Sequence, residues 1–328
     1  MDKLEHKWRL IEEELIQIEK RLRQIVETAG PEINEVGDYI FNGTGKRIRP
    51  TLFLIAAYNS RQSLSPLLDA AVAFELMHTA SLLHDDVIDQ ALTRRGKDAV
   101  HVRWNNKISV LSGDFFLSQV FKILVDYRDW RLMDIVIDIA QNMAEGEVEQ
   151  AFADTQSTDL EERYFQWIGK KSASFFAGCC KAGSLLAGDN LEEQSKWAEF
   201  GYNLGIAFQL IDDLLDYTGE GGVTGKPLYG DLNNRVITLP LIRTLNSSHI
   251  DRGEGSIKHL FQDQFISGRE IRDAAQAVLE GDGPAYTYSK AEEYTKKAAA
   301  VINKLNPANQ DKKNLLEELT RDILLRKK

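Results

Sequence analysis

His84-Asp85-Asp86-Val87-Ile88-Asp89 and Gln209-Leu210-Ile211-Asp212-Asp213-Leu214-Leu215-Asp216 contain the same five-residue pattern: two aspartates, two apolar residues and a third aspartate. Each copy lies in an apolar stretch with helical spacing. A helix turns about 100° per residue, so the three carboxylates of one copy fall within roughly a 100° arc. Like charges at that spacing repel, and a bare helix gains nothing from them. A hard divalent cation removes the conflict. Mg²⁺ prefers carboxylate oxygens, keeps waters and completes its shell with substrate phosphates. Two such faces turned toward each other would hold a metal cluster with a diphosphate between them. A calcium loop does not fit, because neither segment has the Gly and Glu that an EF-hand needs at its sixth and twelfth positions.

The surroundings of both copies predict an all-α chain. No proline occurs between Leu67 and Lys226, and this span is rich in Ala, Leu, Ile and Glu. Such composition suits long helices, and alternating β-branched runs are missing. Ser65-Pro66 reads as an N-cap followed by proline at the first helical position. It opens a helix from about Leu67 to Ala91 that carries the first motif near its end. Trp197 to Tyr217 reads as a second long helix carrying the second motif, followed by a Gly-rich loop from Gly219 to Gly230. Leu4, Trp8, Ile11, Leu15, Ile18, Leu22 and Ile25 recur at three- and four-residue intervals, which predicts an amphipathic docking helix within residues 1–29. Residues 253–307, interrupted by Gly and Pro, read as shorter helices and loops. Arg326-Lys327-Lys328 suits a helix C-terminus. No linker is long enough to divide the chain, so residues 1–328 are expected to form a single domain.

The chain has 328 residues, 43% of them hydrophobic and 27% charged, which indicates a folded protein with a sizeable core. No run of 18 apolar residues appears, so neither a spanning helix nor stable membrane insertion is expected. The N-terminus opens with charges rather than an apolar signal core, which points to a cytoplasmic protein. The two cysteines, Cys179 and Cys180, are adjacent and read as buried free thiols. A net charge of −10 argues against nonspecific nucleic-acid binding. It also makes local basic clusters informative. These are Gly45-Lys46-Arg47-Ile48-Arg49-Pro50, Arg94-Arg95-Gly96-Lys97, Lys170-Lys171 and Gly225-Lys226-Pro227. Alternating acidic and basic patches suggest two anionic substrates.

Taken together, the two aspartate motifs, Arg94-Arg95-Gly96 and Gly45 to Pro50, in this order, resemble the hallmark motifs of the trans-isoprenyl (polyprenyl) diphosphate synthases. The resemblance runs from about Gly45 to Pro240. It implies an all-α bundle around a central elongated cavity, a homodimer, and Mg²⁺-dependent head-to-tail condensation of isopentenyl diphosphate with an allylic diphosphate. By motif, Asp85, Asp89 and Asp212 would ligate Mg²⁺, with Asp86, Asp213 and Asp216 in support. Lys46, Arg49, His78 and Arg95 correspond to the isopentenyl diphosphate pocket. Arg94, Lys171, Gln209 and Lys226 correspond to positions holding the allylic diphosphate or its leaving group.

Some positions depart from the family pattern. Asn234-Arg235 stands where the family usually has Gly-Lys, Ser172 where it has Thr, and Asp98-Ala99 where it has Pro-Thr. Ala80 and Ser81, just before the first motif, are small, and Met77 and Phe74 lie further down the same helix. In the family, aromatic residues at the first two positions block the growing tail. Their absence resembles long-chain synthases, with products of about C30 or longer. Phe115, Phe116 and Phe121 are candidates for the floor of the tail cavity. A terpene cyclase would share the first motif but lack Gly45 to Pro50. A noncatalytic subunit would be expected to have lost motif aspartates, and none is lost here.

Overall fold

Residues 11–42, 45–58, 63–155, 157–219, 229–246, 267–305 and 310–326 are described by a computed structural model. In chain order the helices are α1 (Glu12–Glu27), α2 (Pro31–Phe41), α3 (Ile48–Ala57), α4 (Leu68–Ile88), α5 (Val100–Arg103), α6 (Asn106–Val125), α7 (Trp130–Ala151), α8 (Leu160–Ile168), α9 (Ser174–Leu186), α10 (Leu191–Thr218), α11 (Gly230–Asn233), α12 (Leu239–Asn246), α13 (Gly268–Glu280), α14 (Gly283–Ile302) and α15 (Gln310–Leu325). A π turn, Gly169–Ala173, joins α8 to α9. Among the described residues the strands are one antiparallel pair, β1 (Thr93–Arg94) and β2 (Lys97–Asp98). The chain is therefore all-α, as its composition predicts.

Both motif helices are present, with small shifts at their ends. α4 is preceded by a 3₁₀ turn at Ser65–Leu67 and stops at Ile88 rather than Ala91. Gln90 adopts a left-handed conformation with φ of 51°. The Ala91 and Gln90 amides then donate back to the Asp86 and Val87 carbonyls, at 3.0 and 3.4 Å. This pair of bonds closes the helix just past the motif. α10 begins before Trp197, because the Asn190 side chain accepts from the Glu193 amide at 2.9 Å and supplies the N-cap. The tail is more helical than its Gly and Pro content suggests, since α14 alone has 20 residues. Leu4 and Trp8 lie outside the described residues.

The described chain forms two compact units. The first comprises residues 1–138, 176–201 and 301–318. Its centre is α4, which is buried all round from Ala70 to Met77, apolar there except at Glu75, and packs against α1, α3 and α6. An all-round apolar helix is what a buried central element requires. α1 docks through Ile18 and Leu22, as the N-terminal periodicity predicts, and through Val26, whereas the expected Ile25 is only half-buried. One charged group is built into this core. Arg47, left-handed at φ 48° and 7% exposed, pairs with Glu19 of α1 and Glu75 of α4. Burial draws its pKa down, but the two carboxylates outweigh this and raise it. Arg47 is thus a fixed cation that joins three elements.

The second unit comprises residues 139–175, 202–300 and 319–328. Tyr217, Leu232, Leu241, Ala275 and Val278 form a core in it, where α12 packs on α8 and α13. α13 starts with a capping box between Ser267 and Glu270. In the first unit, Cys179 and Cys180 are both free and fully buried, and burial pushes their thiols upward.

α4 and α6 are long and apolar enough to span a membrane by length and composition alone. In α4, 67% of the most apolar window is buried inside the protein, against 33% in α6. α4 is therefore a core helix, and α6 has an apolar face to the outside.

Candidate active site

The first motif lies on the last turn of α4. Asp85 and Asp89, four residues apart, are both half-buried, while Asp86 is rotated inward and is 2% exposed. The buried carboxylate is paired. Arg94 donates Nε at 2.8 Å and Nη2 to Asp86 Oδ1. Burial lowers the Arg94 pKa, and the bond to Asp86 together with the charges of Asp86, Asp85 and Asp89 raises it further than burial lowers it. Of the crowded carboxylates, one is thus neutralised by the protein. His84, just before the motif, is held by α6: its Nε2 lies 3.1 Å from the Val110 carbonyl and 3.5 Å from Asp114. The approach depends on Gly113, where a Cβ would collide with the imidazole. Ser109 Oγ adds a bond of 2.9 Å to the Leu83 carbonyl.

The basic residues of the first unit converge beside this turn. Arg94 and Arg95 sit on the β1–β2 hairpin, whose turn is Arg95-Gly96. A Cβ placed on Gly45 would lie 3.2 Å from Arg95 Nη1, so the two basic clusters are neighbours. Lys46 is exposed, and half-buried Arg49 stacks its guanidinium 5.4 Å from the Phe176 ring centre. His78 lies among these cations. Burial, and then the charges of Arg49, Arg95, Arg94 and Arg47, push its imidazole well below the usual range. It is a neutral donor or acceptor inside a positive field suited to a polyanion.

The second motif is arranged differently. Asp212 and Asp216 are half-buried, and Asp213 is 5% exposed. Tyr164 donates its hydroxyl to Asp213 Oδ2 at 2.5 Å, and Gln209 donates its amide to Oδ1 at 2.7 Å. Gln209 in turn accepts from Ser172 Oγ at 2.6 Å. Burial raises the Asp213 pKa to about 7, with Asp212 and Asp216 adding to the rise while Tyr164 and Gln209 oppose it. Asp216 accepts the backbone amides of Gly230 and Asp231, both at 3.0 Å, and so anchors α11. The Asn234-Arg235 exchange costs no glycine-only geometry. Asn234 has a φ of −90°, and the left-handed residue is Arg235 at 58°.

Lys171 lies in the π turn, a form that recurs at functional sites. Its Nζ pairs with Glu147 of α7 and lies 3.4 Å from Gln150 Oε1. The contact requires Gly146, where a Cβ would sit 2.8 Å from the Lys171 amide nitrogen. Lys170 is instead bound to Glu145 and Glu149. Lys226 lies outside the described residues.

Of the positions expected to face the growing tail, Met77 and Ala80 are buried and Ser81 is half-buried, with its hydroxyl donating to the His78 carbonyl at 2.9 Å. Phe116 is buried edge-on against Phe41, whereas Phe121 is 42% exposed and closes no interior.

Three participants are not apparent from the motifs. Tyr164 is distant in sequence from Asp213. Glu147 is one of several acids on α7. Arg326 reads only as part of a basic last turn, yet its Nη2 lies 3.3 Å from Asp212 Oδ1, and its guanidinium stacks 4.1 Å from the Phe208 ring centre. Burial lowers the Arg326 pKa and Asp212 partly restores it.

Comparison with known proteins gives a consistent picture. Residues 30–278 match the family model described as polyprenyl synthetase. Octaprenyl diphosphate synthase of Escherichia coli (strain K12) is 34% identical over 274 residues, covering 83% of this chain and 84% of that protein. Heptaprenyl diphosphate synthase component 2 of Geobacillus stearothermophilus is 28% identical, covering 97% of each. A polyprenyl synthase from Caulobacter crescentus CB15, crystallised with calcium and isoprenyl diphosphate, superposes with a TM-score of 0.92 at 30% identity, covering 99% of this chain and 98% of that one.

Proposed function

Since the chain belongs to the polyprenyl synthetase family and is a long-chain trans-polyprenyl diphosphate synthase, we propose that it joins isopentenyl diphosphate to an allylic diphosphate with Mg²⁺, as a cytoplasmic homodimer. We read residues 1–328 as one catalytic domain; the family match extends over parts of both compact units. The observation that carries the site assignment is the sorting of each motif. The middle aspartate is buried and bonded inside the protein, while the flanking ones are more accessible.

Asp85, Asp89 and Asp212 are the proposed Mg²⁺ ligands. Their chemistry fits. They are hard oxygen donors, and among the described residues no group of three or more acidic, His or Cys side chains forms a ready-made cage. Mg²⁺ is commonly held in this way, by one or two carboxylates with substrate phosphates completing the shell. When bound, the ion supplies charge neutralisation to the departing diphosphate.

The chain's own residues do the rest. Lys46, Arg49 and Arg95 bind the isopentenyl diphosphate, and neutral His78 accompanies them without adding charge. Lys171, Gln209 and Lys226 hold the allylic diphosphate, and Arg94 contributes while pinned to Asp86. The Ser172–Gln209–Asp213–Tyr164 chain orients the Gln209 side chain. Released pyrophosphate takes the proton lost by the new cation. Product length is set along α4, where Ala80 and Ser81 leave room for a tail of about C30 or longer. The homodimer is supported by the outward apolar side chains of α6, namely Val110, Leu111, Phe121 and Val125.

One observation favours a second reading, the catalytic subunit of a heteromeric synthase. Full-length similarity extends to a relative named component 2. Incubating the purified chain alone with isopentenyl and allylic diphosphates and Mg²⁺, then reading product masses, separates the two. A ladder ending at C30 or above supports the autonomous enzyme. No product alone, but product once a second subunit is supplied, supports the heteromer. Ser81→Phe should shorten the ladder while preserving the first condensation.

A further inference from the structure

The β1–β2 hairpin is a small exposed element with an unusual amount of restraint. Its two-residue turn places Arg95 at φ 53° and Gly96 at φ 75°. Positive φ at both central residues is what a tight hairpin of this length needs. Glycine adopts it freely, but an arginine does so only when its surroundings hold it there.

Three restraints are visible. Arg94 bonds the buried Asp86. The Ala99 amide closes the base of the hairpin on the Leu92 carbonyl at 3.0 Å. The third comes from α2. Tyr39 donates its hydroxyl to the Asp98 carbonyl at 2.8 Å. The Lys97 ammonium lies 5.3 Å from the centre of the same ring, and the Arg103 guanidinium 4.6 Å from it. Trp104 meets Tyr39 edge-on at 5.3 Å, and its ring centre lies 4.9 Å from the same Arg103 guanidinium. The second arm of the hairpin therefore rests on an aromatic platform, with cations over Tyr39 and a hydrogen bond at its rim. Asp98 itself has none of the φ restriction that proline would impose at this place. Tyr39 lies on the helix that leads into Gly45 and Lys46, so the clamp registers Arg95 against the other basic cluster.

We propose that Tyr39 is a positioning residue for the isopentenyl diphosphate: by holding the Asp98 carbonyl and seating Lys97 and Arg103 on its ring, it keeps Arg95 aimed beside Gly45 and Lys46. The proposal rests on the assignment of Arg95 to that diphosphate. Tyr39 lines the same cavity as Arg94 and Arg95, and because it acts through Arg95 its effect falls on binding of one anion and leaves the bond-breaking step alone.

The test compares Tyr39→Phe, which keeps the ring and removes the hydroxyl, with Tyr39→Leu and Arg95→Ala. KM for isopentenyl diphosphate, KM for farnesyl diphosphate and kcat are measured, together with amide hydrogen exchange in residues 92–99. Loss of one hydrogen bond predicts about a three- to tenfold rise in KM for isopentenyl diphosphate in Tyr39→Phe. A larger rise is expected in Tyr39→Leu, with kcat and the farnesyl diphosphate KM within about twofold of wild type. Exchange at Ala99 should quicken in parallel. Unchanged isopentenyl diphosphate KM in a folded Tyr39→Phe enzyme, where Arg95→Ala raises it, overturns the proposal. So does an equal rise for both substrates. If Arg95→Ala itself leaves that KM unchanged, the reading of Arg95 fails and the substrate role of Tyr39 falls with it. Unchanged exchange in both Tyr39 variants would show instead that the clamp does not exist.

Discussion

The two aspartate motifs are alike in sequence and opposite in how they bury their middle carboxylate. Asp86 is met by a full positive charge, the Arg94 guanidinium eight residues away. Asp213 is met only by neutral donors, Tyr164 and Gln209. Burial makes Asp213 resist ionisation, and the hydrogen bonds from Tyr164 and Gln209 offset this only in part. The pattern of two aspartates, two apolar residues and a third aspartate therefore contains two kinds of position. In both copies the middle aspartate faces structure, with a different partner in each, and in the second copy the outer Asp216 is also taken up, by the Gly230 and Asp231 amides.

Substitutions that cross this division should have the largest effect. Asp85→Ala and Asp212→Ala are expected to lower turnover by about a hundredfold or more, with circular dichroism unchanged. A folded variant with near-normal turnover would place its motif among structural features. pH comes next. With a folded pKa of about 7 against an ordinary value of 3.8, Asp213 binds its proton more tightly in the native state. Its contribution to stability is complete below about pH 4 and is lost as pH rises through about 7. In metal-free buffer the wild type should lose a few kcal/mol over that window relative to Asp213→Asn. Parallel unfolding curves for the two proteins from pH 4 to 8 would contradict the neutral-donor picture.

Asp86→Ala should cost about 2 kcal/mol in urea unfolding, because it strands the mostly buried Arg94. The side chain of Arg94 is 25% exposed, and water limits the penalty. By the same measurement at pH 8, Asp213→Asn should instead gain a few kcal/mol over wild type, because the wild-type carboxylate is ionised in its buried place there. Equal losses would erase the contrast. The smallest effect is expected from Tyr164→Phe, about 1 kcal/mol, with the Gln209 bond to Asp213 remaining. A loss as large as that of Asp86→Ala would mean that Tyr164, and not burial, governs the second motif.

Much of this was legible without coordinates. The absence of proline between Leu67 and Lys226 and the doubled aspartate pattern are enough to foretell α4, α10 and a hard-cation chemistry, because both follow from local spacing. Roles within a motif are not local. Nothing in Asp212-Asp213 says which carboxylate is buried, since that depends on Tyr164, brought to it by folding. Arg94 reads as an anion ligand until the hairpin turns it back onto Asp86. Arg47, in the middle of a basic run, has its charge taken up by Glu19 and Glu75, and only Lys46 and Arg49 beside it remain as the run's candidates for substrate. Arg326 is adjacent to Asp212 through a contact between segments far apart in sequence.

The π turn at Gly169–Ala173 has a consequence for how relatives of this chain are to be compared. A π turn holds one residue more than the α-helical turn it replaces, and one residue is about 100° of helical phase. Lys170 and Lys171 are adjacent letters, but their phases decide which acidic partner on α7 each reaches: Glu145 and Glu149 for one, Glu147 for the other. Removing a single residue here would leave every motif intact and swing the lysine at the motif position by about a quarter of a revolution relative to α8. A gap at this point in an alignment, which looks trivial on paper, is therefore a rotation of the proposed allylic site, and a homologue carrying one should not inherit its lysine assignment by column alone.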